Sequence, residues 1–421
     1  MRCLFRSSPF EPLQQPLFLY PGSYGERKHA LPASTPHCRS PVFFPDYQEV
    51  VREFERAVSR KNTTEVALGL RYVQGTGREQ SFGGNFSFAK RVSFFDRGED
   101  DLIVPCGFLT DLPISELDRA AMDKCRGVVV VSAVFNDHDK IRQPRGLGSE
   151  TLASGCFFMF VDDVTLTSLA YHKVVDRKTQ QLTRIGVWRL VRVPTENLYE
   201  NPAMNGVIFK YLAHRLFVNA RFSVWVDAKM QLVVDPLLLV HALVVEKGVD
   251  LAVSKHPFFV NAMEEAVATA AWKKWRDVEG LRRQIENYCA HGLRPWSPEK
   301  LPYTSDVPDT AIILRRHGGA SDLFSCLMFN ELDAFNPRDQ LAFAYVRDQM
   351  RPKIKMNMFE VEVFERIAVE YRHNLKRDGG GPGPVARTNT VRAKFDSLNG
   401  SCREYLSEMW GEGGEPRDHL A

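Results

Sequence analysis

No stretch of this chain approaches the roughly 18 consecutive apolar residues that a bilayer-crossing helix requires. Gly127–Phe135 is too short, and Leu232–Val245 is interrupted by Asp235 and His241. The expectation is a soluble chain without a membrane span. A strong charge of either sign is also missing: 55 Lys and Arg face 52 Asp and Glu, a net charge of +3. That balance argues against nucleic acid as a partner, because phosphate backbones are held by dense Lys/Arg patches. The eight cysteines form no Cys-x-x-Cys pair, so a zinc site built from paired thiolates is not expected. Their even number permits disulfides without establishing them. His-x-x-x-His and His-Glu-x-x-His are absent, which removes the local signature of a zinc hydrolase. The absence of a Gly-x-Ser-x-Gly elbow argues against a serine hydrolase of the α/β type. No internal repeat is visible.

What is present is the composition of a globular protein, 44% hydrophobic and 25% charged, which excludes a mainly disordered chain. Residues 1–80 read as a flexible leader with one amphipathic helix, where Tyr47, Val50, Val51, Phe54, Ala57 and Val58 recur at helical spacing. The leader's first 45 residues are Pro- and Ser-rich and acid-poor, yet lack the apolar core of a signal peptide. From 377 to 421 a Gly/Pro-rich stretch reads as a disordered tail. Glycosylation triplets at Asn62, Asn85 and Asn399 are a weak sign of a secretory lumen.

Between these ends, apolar runs alternate with helical patterns. Gly127–Phe135 and Cys156–Val161 are continuous runs, as expected of strands buried on both faces. Gly186–Val193, Arg221–Val226, Leu251–Ser254 and Ala311–Leu314 read as further strands. Helices are expected over Asn205–Leu216, Met263–Arg276, Leu281–His291, Arg338–Gln349 and Phe359–His373. The alternation predicts a single large α/β domain, a mostly parallel central sheet flanked by helices.

In open α/β sheets ligands bind beyond the carboxyl ends of strands, so residues that close each run are the candidates. The first run supplies Ser132, Phe135 and Asp139, and the second supplies Asp162. For any one of these, the plainer reading is a turn-forming residue. Trp225-Val-Asp227-Ala-Lys229 is the most suggestive, because a strand ending in Asp-x-Asp is where nucleotide-sugar transferases hold a divalent cation and the donor diphosphate. Here Lys229 takes the place of the second Asp, and an ammonium can contact phosphate directly. Upstream, Lys210 and His214 lie four apart in an expected helix, with Arg215 beside them, as a cationic face or simply a solvated one. Asn336-Pro337-Arg338-Asp339 starts a helix, with Asn336 as its cap and Pro337 as its first residue. Asp339 is the candidate base for an acceptor hydroxyl, with Arg338 and Gln340 orienting substrates, or a first-turn acid facing the helix dipole. Glu264 and Glu265 open another helix in the same way. His256 and His317 follow short strands and suit a phosphate or metal contact.

At these residues the chain resembles the plant glycosyltransferase-like domain family known from turgor-regulation-defect and mucilage-related proteins. The resemblance is carried by Val129–Phe135, Cys156–Asp162, Gly186–Arg189, Leu212–Phe217, Trp225–Lys229, Ser254–His256, Leu323–Cys326, Phe329–Glu331 and Arg338–Gln340 in unbroken order. It places a glycosyltransferase-like domain over residues 81–376. It implies a nucleotide-sugar transferase fold of the GT-A type and a hexosyltransferase acting on Golgi or cell-wall polysaccharide. The partners implied are a nucleotide diphosphate sugar as donor and a glycan as acceptor. A divalent cation, manganese or magnesium, is either used or replaced by Lys229. Family members described as alkaline ceramidases make amide hydrolysis of ceramide the competing expectation, and a non-catalytic glycan-binding member is a third. The resemblance implies the Golgi lumen, although this sequence shows no anchor.

Overall fold

The computed structural model describes residues 3–6, 15–26, 28, 30–33, 40–59, 86–96, 104, 106–107, 112–154, 156–176, 184–272, 274–373 and 402. Residues 60–85, residues 374–421 apart from Cys402, and the asparagines of the three glycosylation triplets lie outside them. Two short strands, β1 (Leu4–Arg6) and β2 (Val42–Phe44), pair in parallel. The central sheet is built from β3 (Val128–Val134), β4 (Cys156–Val161), β5 (Arg184–Ile185), β6 (Trp188–Arg192), β7 (Phe222–Val226), β9 (Leu251–Lys255), β10 (Pro308–Arg316) and β11 (Met356–Phe359). Its order is β11-β9-β10-β7-β3-β4-β6-β5. A small antiparallel ribbon pairs β8 (Met230–Leu232) with β12 (Ala368–Glu370).

Helices cover both faces of the sheet, so both side-chain sets of each strand are buried. Val129 and Val131 of β3, with Phe158 and Phe160 of β4, face one core; its helices include Pro202–Tyr211, Ala262–Ala271 and Gly319–Ala334. Val130, Phe157, Met159 and Val224 face the other, with helices Tyr47–Ser59, Pro236–Val240 and Val361–Ile367. This is why the strands read as unbroken apolar runs.

The structure refines the expectations at four places. The leader's amphipathic helix forms at Tyr47–Ser59 and is packed: Phe44, Val50, Val51 and Phe54 are buried in the second core beside helix Pro236–Val240. Helix Gly319–Ala334 was not expected. It shows no clear helical stripe, since it is buried nearly all round and buries Ser321, Ser325, Asn330 and Glu331 along with its apolar residues. Only Val361–Ile367 is helical in the last segment, and the chain then extends into β12. Finally, β10 runs antiparallel to both β7 and β9, inside an otherwise largely parallel sheet.

Among the described residues, disulfides join Cys106 to Cys326, Cys125 to Cys156 and Cys289 to Cys402, and Cys3 is disulfide-bonded as well. No helix of the described residues is long and apolar enough to cross a membrane.

Candidate functional site

The reversal of β10 decides what meets at the ligand-binding end of the sheet. The carboxyl ends of β3 and β7 arrive there together with the amino end of β10. They surround a crevice of about 500 Å³, a size suited to a small-molecule ligand. β7 contributes Trp225 and Asp227, β3 contributes Phe135 and Asp139 from its following loop, and β10 contributes Asp309 and Thr310. The main-chain N–H of Asp227 donates to the Ala311 carbonyl at 2.8 Å, which locks the two strand ends together.

Lys210, in the last turn of helix Pro202–Tyr211, reaches into the crevice floor. Its Nζ lies 2.7 Å from Asp339 Oδ2 and 3.7 Å from Asp227 Oδ1, and donates to Thr310 Oγ1 at 3.0 Å. Trp225 Nε1–H donates to Asp227 Oδ1 at 2.6 Å. Asp339 is the first residue of helix Asp339–Gln349 and is 4% exposed. Tyr211 donates its hydroxyl to Asp339 Oδ2 at 3.0 Å. Burial by itself would raise the Asp339 pKa, but Lys210, Thr310 and Tyr211 together hold it below the ordinary carboxylate value.

The β8–β12 ribbon brings a segment from far along the chain over the same crevice. Tyr371 N–H donates to the Lys229 carbonyl at 2.8 Å, which sets Glu370 beside Lys229, Nζ to Oε1 3.1 Å. Burial opposes the charged form of Lys229, yet Glu370, Asp309 and Asp227 raise its pKa overall. Burial, with Glu370 and Asp227 nearby, raises that of Asp309 against the pull of Lys229. His373 Nδ1 lies 3.0 Å from Asp139 Oδ2 on the rim.

Of the residues singled out in the sequence, Phe135, Asp139, Lys210, Asp227, Lys229, Arg338, Asp339 and Gln340 line this crevice. Asp162 is next to it but engaged structurally. One oxygen caps helix Asp163–Tyr171 through Thr165 N–H at 2.9 Å, and the other accepts Asn136 N–H at 2.8 Å, holding the left-handed turn at Asn136 and Asp137. Ser132 is buried within β3, outside the crevice wall. His214 does not share a face with Lys210, because the helix breaks at Leu212 and a separate helix, Ala213–Leu216, begins. Its Nε2 sits 3.8 Å from Cys326 Sγ, inside the core. Arg215 donates to the carbonyls of Cys106 and Gly107. His317 ends β10 and so lies at the opposite end of the sheet from the crevice. His256 lies one layer behind the wall, its Nδ1 accepting from Phe258 and Phe259 N–H and its Nε2 3.8 Å from buried Glu265. Glu264 closes a capping box with Asn261. Asn336 does not cap the next helix but accepts Arg338 N–H at 3.0 Å, just before it.

Sequence reading missed Asp309, Thr310, Glu370, His373, Lys274 and Trp275. Asp309-Thr310 stands directly before an apolar run, a visible signal, but attention to carboxyl ends alone passes over it.

Histidines shielded from water, His214 buried and His256 and His317 half-buried, predict acid lability. Burial lowers His256 to about 4 and His317 to about 3, with Arg315 beside His317 adding to the effect; His214 is also lowered, by burial and then by His317. Unfolded histidine titrates near 6.5. The stability from keeping these rings neutral is therefore complete above about pH 6.5 and is lost as pH falls toward the folded values. Each ring contributes a slope of up to about 1.4 kcal/mol per pH unit in that window. Urea unfolding between pH 7 and 4.5 should show a shallower fall for His317→Gln than for the parent chain. Equal slopes would refute the assignment.

A family model for the TOD1/MUCI70 glycosyltransferase-like domain matches residues 70–373. An Arabidopsis thaliana protein named alkaline ceramidase TOD1 is 57% identical over 426 residues, covering 97% of this chain and 91% of that protein. Another from the same plant, named probable hexosyltransferase MUCI70, is 36% identical over 354 residues, covering 80% of this chain and 58% of its own length. Among solved structures, mouse xyloside xylosyltransferase 1 aligns with a TM-score of 0.31 at 7% identity, over 55% of this chain and 85% of that one. The bifunctional glycosyltransferase WbbM aligns with a TM-score of 0.28 at 10% identity, over 62% of this chain and 41% of that one.

Proposed function

The chain belongs to the TOD1/MUCI70 glycosyltransferase-like domain family, and from that premise we propose that it moves a hexose from a nucleotide diphosphate sugar onto a glycan. The observation that carries this reading is the convergence of Asp227, Lys229, Asp309, Lys210 and Asp339 on one crevice at the carboxyl end of the sheet. Asp339, beside Lys210 and Tyr211, is the group that orients and deprotonates the acceptor hydroxyl. Asp227, fixed by Trp225, faces the donor sugar.

The donor set does not fit an open two-carboxylate metal site. Lys210 stands between Asp339 and Asp227, and Lys229 stands beside Glu370 in the field of Asp309 and Asp227. Ammonium groups thus occupy the positions between carboxylates, which supports donor binding without a divalent cation. It also changes the role expected of Lys229: its charge balances carboxylates rather than meeting phosphate. The disulfide-bonded state of the described cysteines supports an oxidising compartment, in keeping with the Golgi lumen.

Calorimetry with UDP and GDP, with and without manganese, tests the proposal on the full chain and on Asp227→Ala. Micromolar binding that EDTA leaves unchanged is the expected result. No nucleotide binding in any condition would sink the transferase reading, and binding that requires manganese would sink the metal-free one. The name of the 57% identical relative favours a second reading, hydrolysis of the ceramide amide. Fatty acid release from ceramide at alkaline pH, in the absence of any nucleotide binding, would select it.

A further inference from the structure

The crevice is electrically divided, and the division says where an anion can go. On the side where β7, β10 and the β8–β12 ribbon meet, four carboxylates (Asp227, Asp309, Asp339 and Glu370) face two ammonium groups (Lys210 and Lys229). With Asp139 on the rim beside His373, that side carries net negative charge. A diphosphate placed there meets repulsion, and both lysines already have carboxylate partners.

Another part of the lining has the reverse character. It is formed by the loop after helix Ala262–Ala271, which carries Lys274 and Trp275, and by Arg338. Lys274 is exposed, forms no ion pair among the described residues, and rests its Nζ 4.5 Å from the centre of the Trp272 ring. Arg338 has its Nη2 fixed by Glu265 Oε1 at 2.5 Å and Thr269 Oγ1 at 3.3 Å, while its buried Nε has no acceptor among the described residues. Glu265, the acid of this wall, is fully buried behind Arg338 and does not line the crevice. Although the Lys274 surface is exposed, desolvation by the surrounding chain lowers its pKa against the pull of Glu265, and Arg338 and Lys229 lower it further, so the cations lie within each other's field. Two cations lining one space, of which Lys274 has no carboxylate partner among the described residues, are a site for a shared anion. Trp275, half-buried on the same wall, offers a flat apolar face beside it.

We propose that Lys274 and Arg338 bind the diphosphate of the donor, and that Trp275 packs against the ring carried at one end of it. This rests on the transferase reading for the identity of the ligand but not for the existence of the anion site. On this assignment the donor spans the crevice, diphosphate on the Lys274 wall and sugar toward Asp227, and the acceptor enters beside Asp339.

Calorimetry on the full chain with inorganic pyrophosphate and with UDP provides the test. Lys274→Glu is expected to weaken both about tenfold to hundredfold, and Lys274→Ala somewhat less. Arg338→Lys keeps a cation against Glu265 while losing the planar fork, and should weaken both about tenfold. Trp275→Ala should weaken UDP but leave pyrophosphate within about twofold. Unchanged pyrophosphate affinity in Lys274→Glu, with its unfolding midpoint preserved, overturns the proposal. If Lys274→Glu instead impairs only glucuronate binding, the wall recognises an acidic sugar of the acceptor and the diphosphate assignment falls. Pyrophosphate that binds the parent chain through Lys274 while no nucleotide does would uphold the anion site and reject the transferase reading.

Discussion

Replacement of Asp339 by asparagine is expected to lower the rate of sugar transfer by about 10²–10⁴-fold, the usual contribution of a positioned acid or base. The substitution nearly preserves shape, so Tyr211 keeps an acceptor. What is lost is the negative charge 2.7 Å from Lys210, and with it the proton acceptor for the incoming hydroxyl. Because Lys210 retains Asp227 at 3.7 Å, the ammonium is not stranded and the fold should survive. With the diphosphate held by Lys274 and Arg338, UDP affinity should stay within about threefold. Steady-state kinetics together with calorimetry separates the possibilities. An unchanged kcat would remove Asp339 from the chemistry, and a loss confined to UDP binding would move it to the donor site.

The second large effect concerns stability. Asp306 and Arg347 form an ion pair at 2.6 Å with both side chains inaccessible to solvent, and Lys300 and Asp348 extend it into a network. Arg347 also donates to the Ser305 carbonyl at 2.7 Å. This network anchors the segment that delivers Asp309 and Thr310 to the crevice. Burial raises the Asp306 pKa against the opposing pull of Arg347 and Lys300, so the carboxylate depends on its partners. Asp306→Ala leaves Arg347 buried with Asp348 alone and is expected to cost about 3–5 kcal/mol, the usual penalty for breaking a buried pair from one side. Replacing both partners, Asp306→Ala with Arg347→Met, should recover a large part of it. Urea denaturation measures both. A loss below about 1 kcal/mol for the single variant would show that water replaces the carboxylate.

Legibility differed sharply between elements. The runs at β3, β4 and β7 were readable because helices bury both faces of the sheet, which forces continuous apolar sequence. Helix Asp339–Gln349 was readable from its start, although its cap was misplaced, since Asn336 bonds a turn that precedes the helix. Helix Gly319–Ala334 was not, because a helix buried on all sides has no stripe to detect. Lys210 and His214 looked alike at a spacing of four, but the break at Leu212 turns one into the crevice and the other toward the disulfide of Cys326.

Sequence by itself determined the α/β class, the family, and the residues that end strands beside the crevice, Asp227 and Lys229 among them. Composition and periodicity are local properties, and burial on two faces writes itself directly into them. The tertiary structure alone decided the direction of β10, which brings Asp309 to the crevice and sends His317 away from it. It also decided that the β8–β12 ribbon would set Glu370 against Lys229, and that Lys274 and Arg338 would stand on one wall. These are pairings between segments 53 to 141 residues apart, set by hydrogen-bond registers and packing that no local pattern encodes. A lysine's charge is visible in the sequence, but whether a carboxylate already balances it is not.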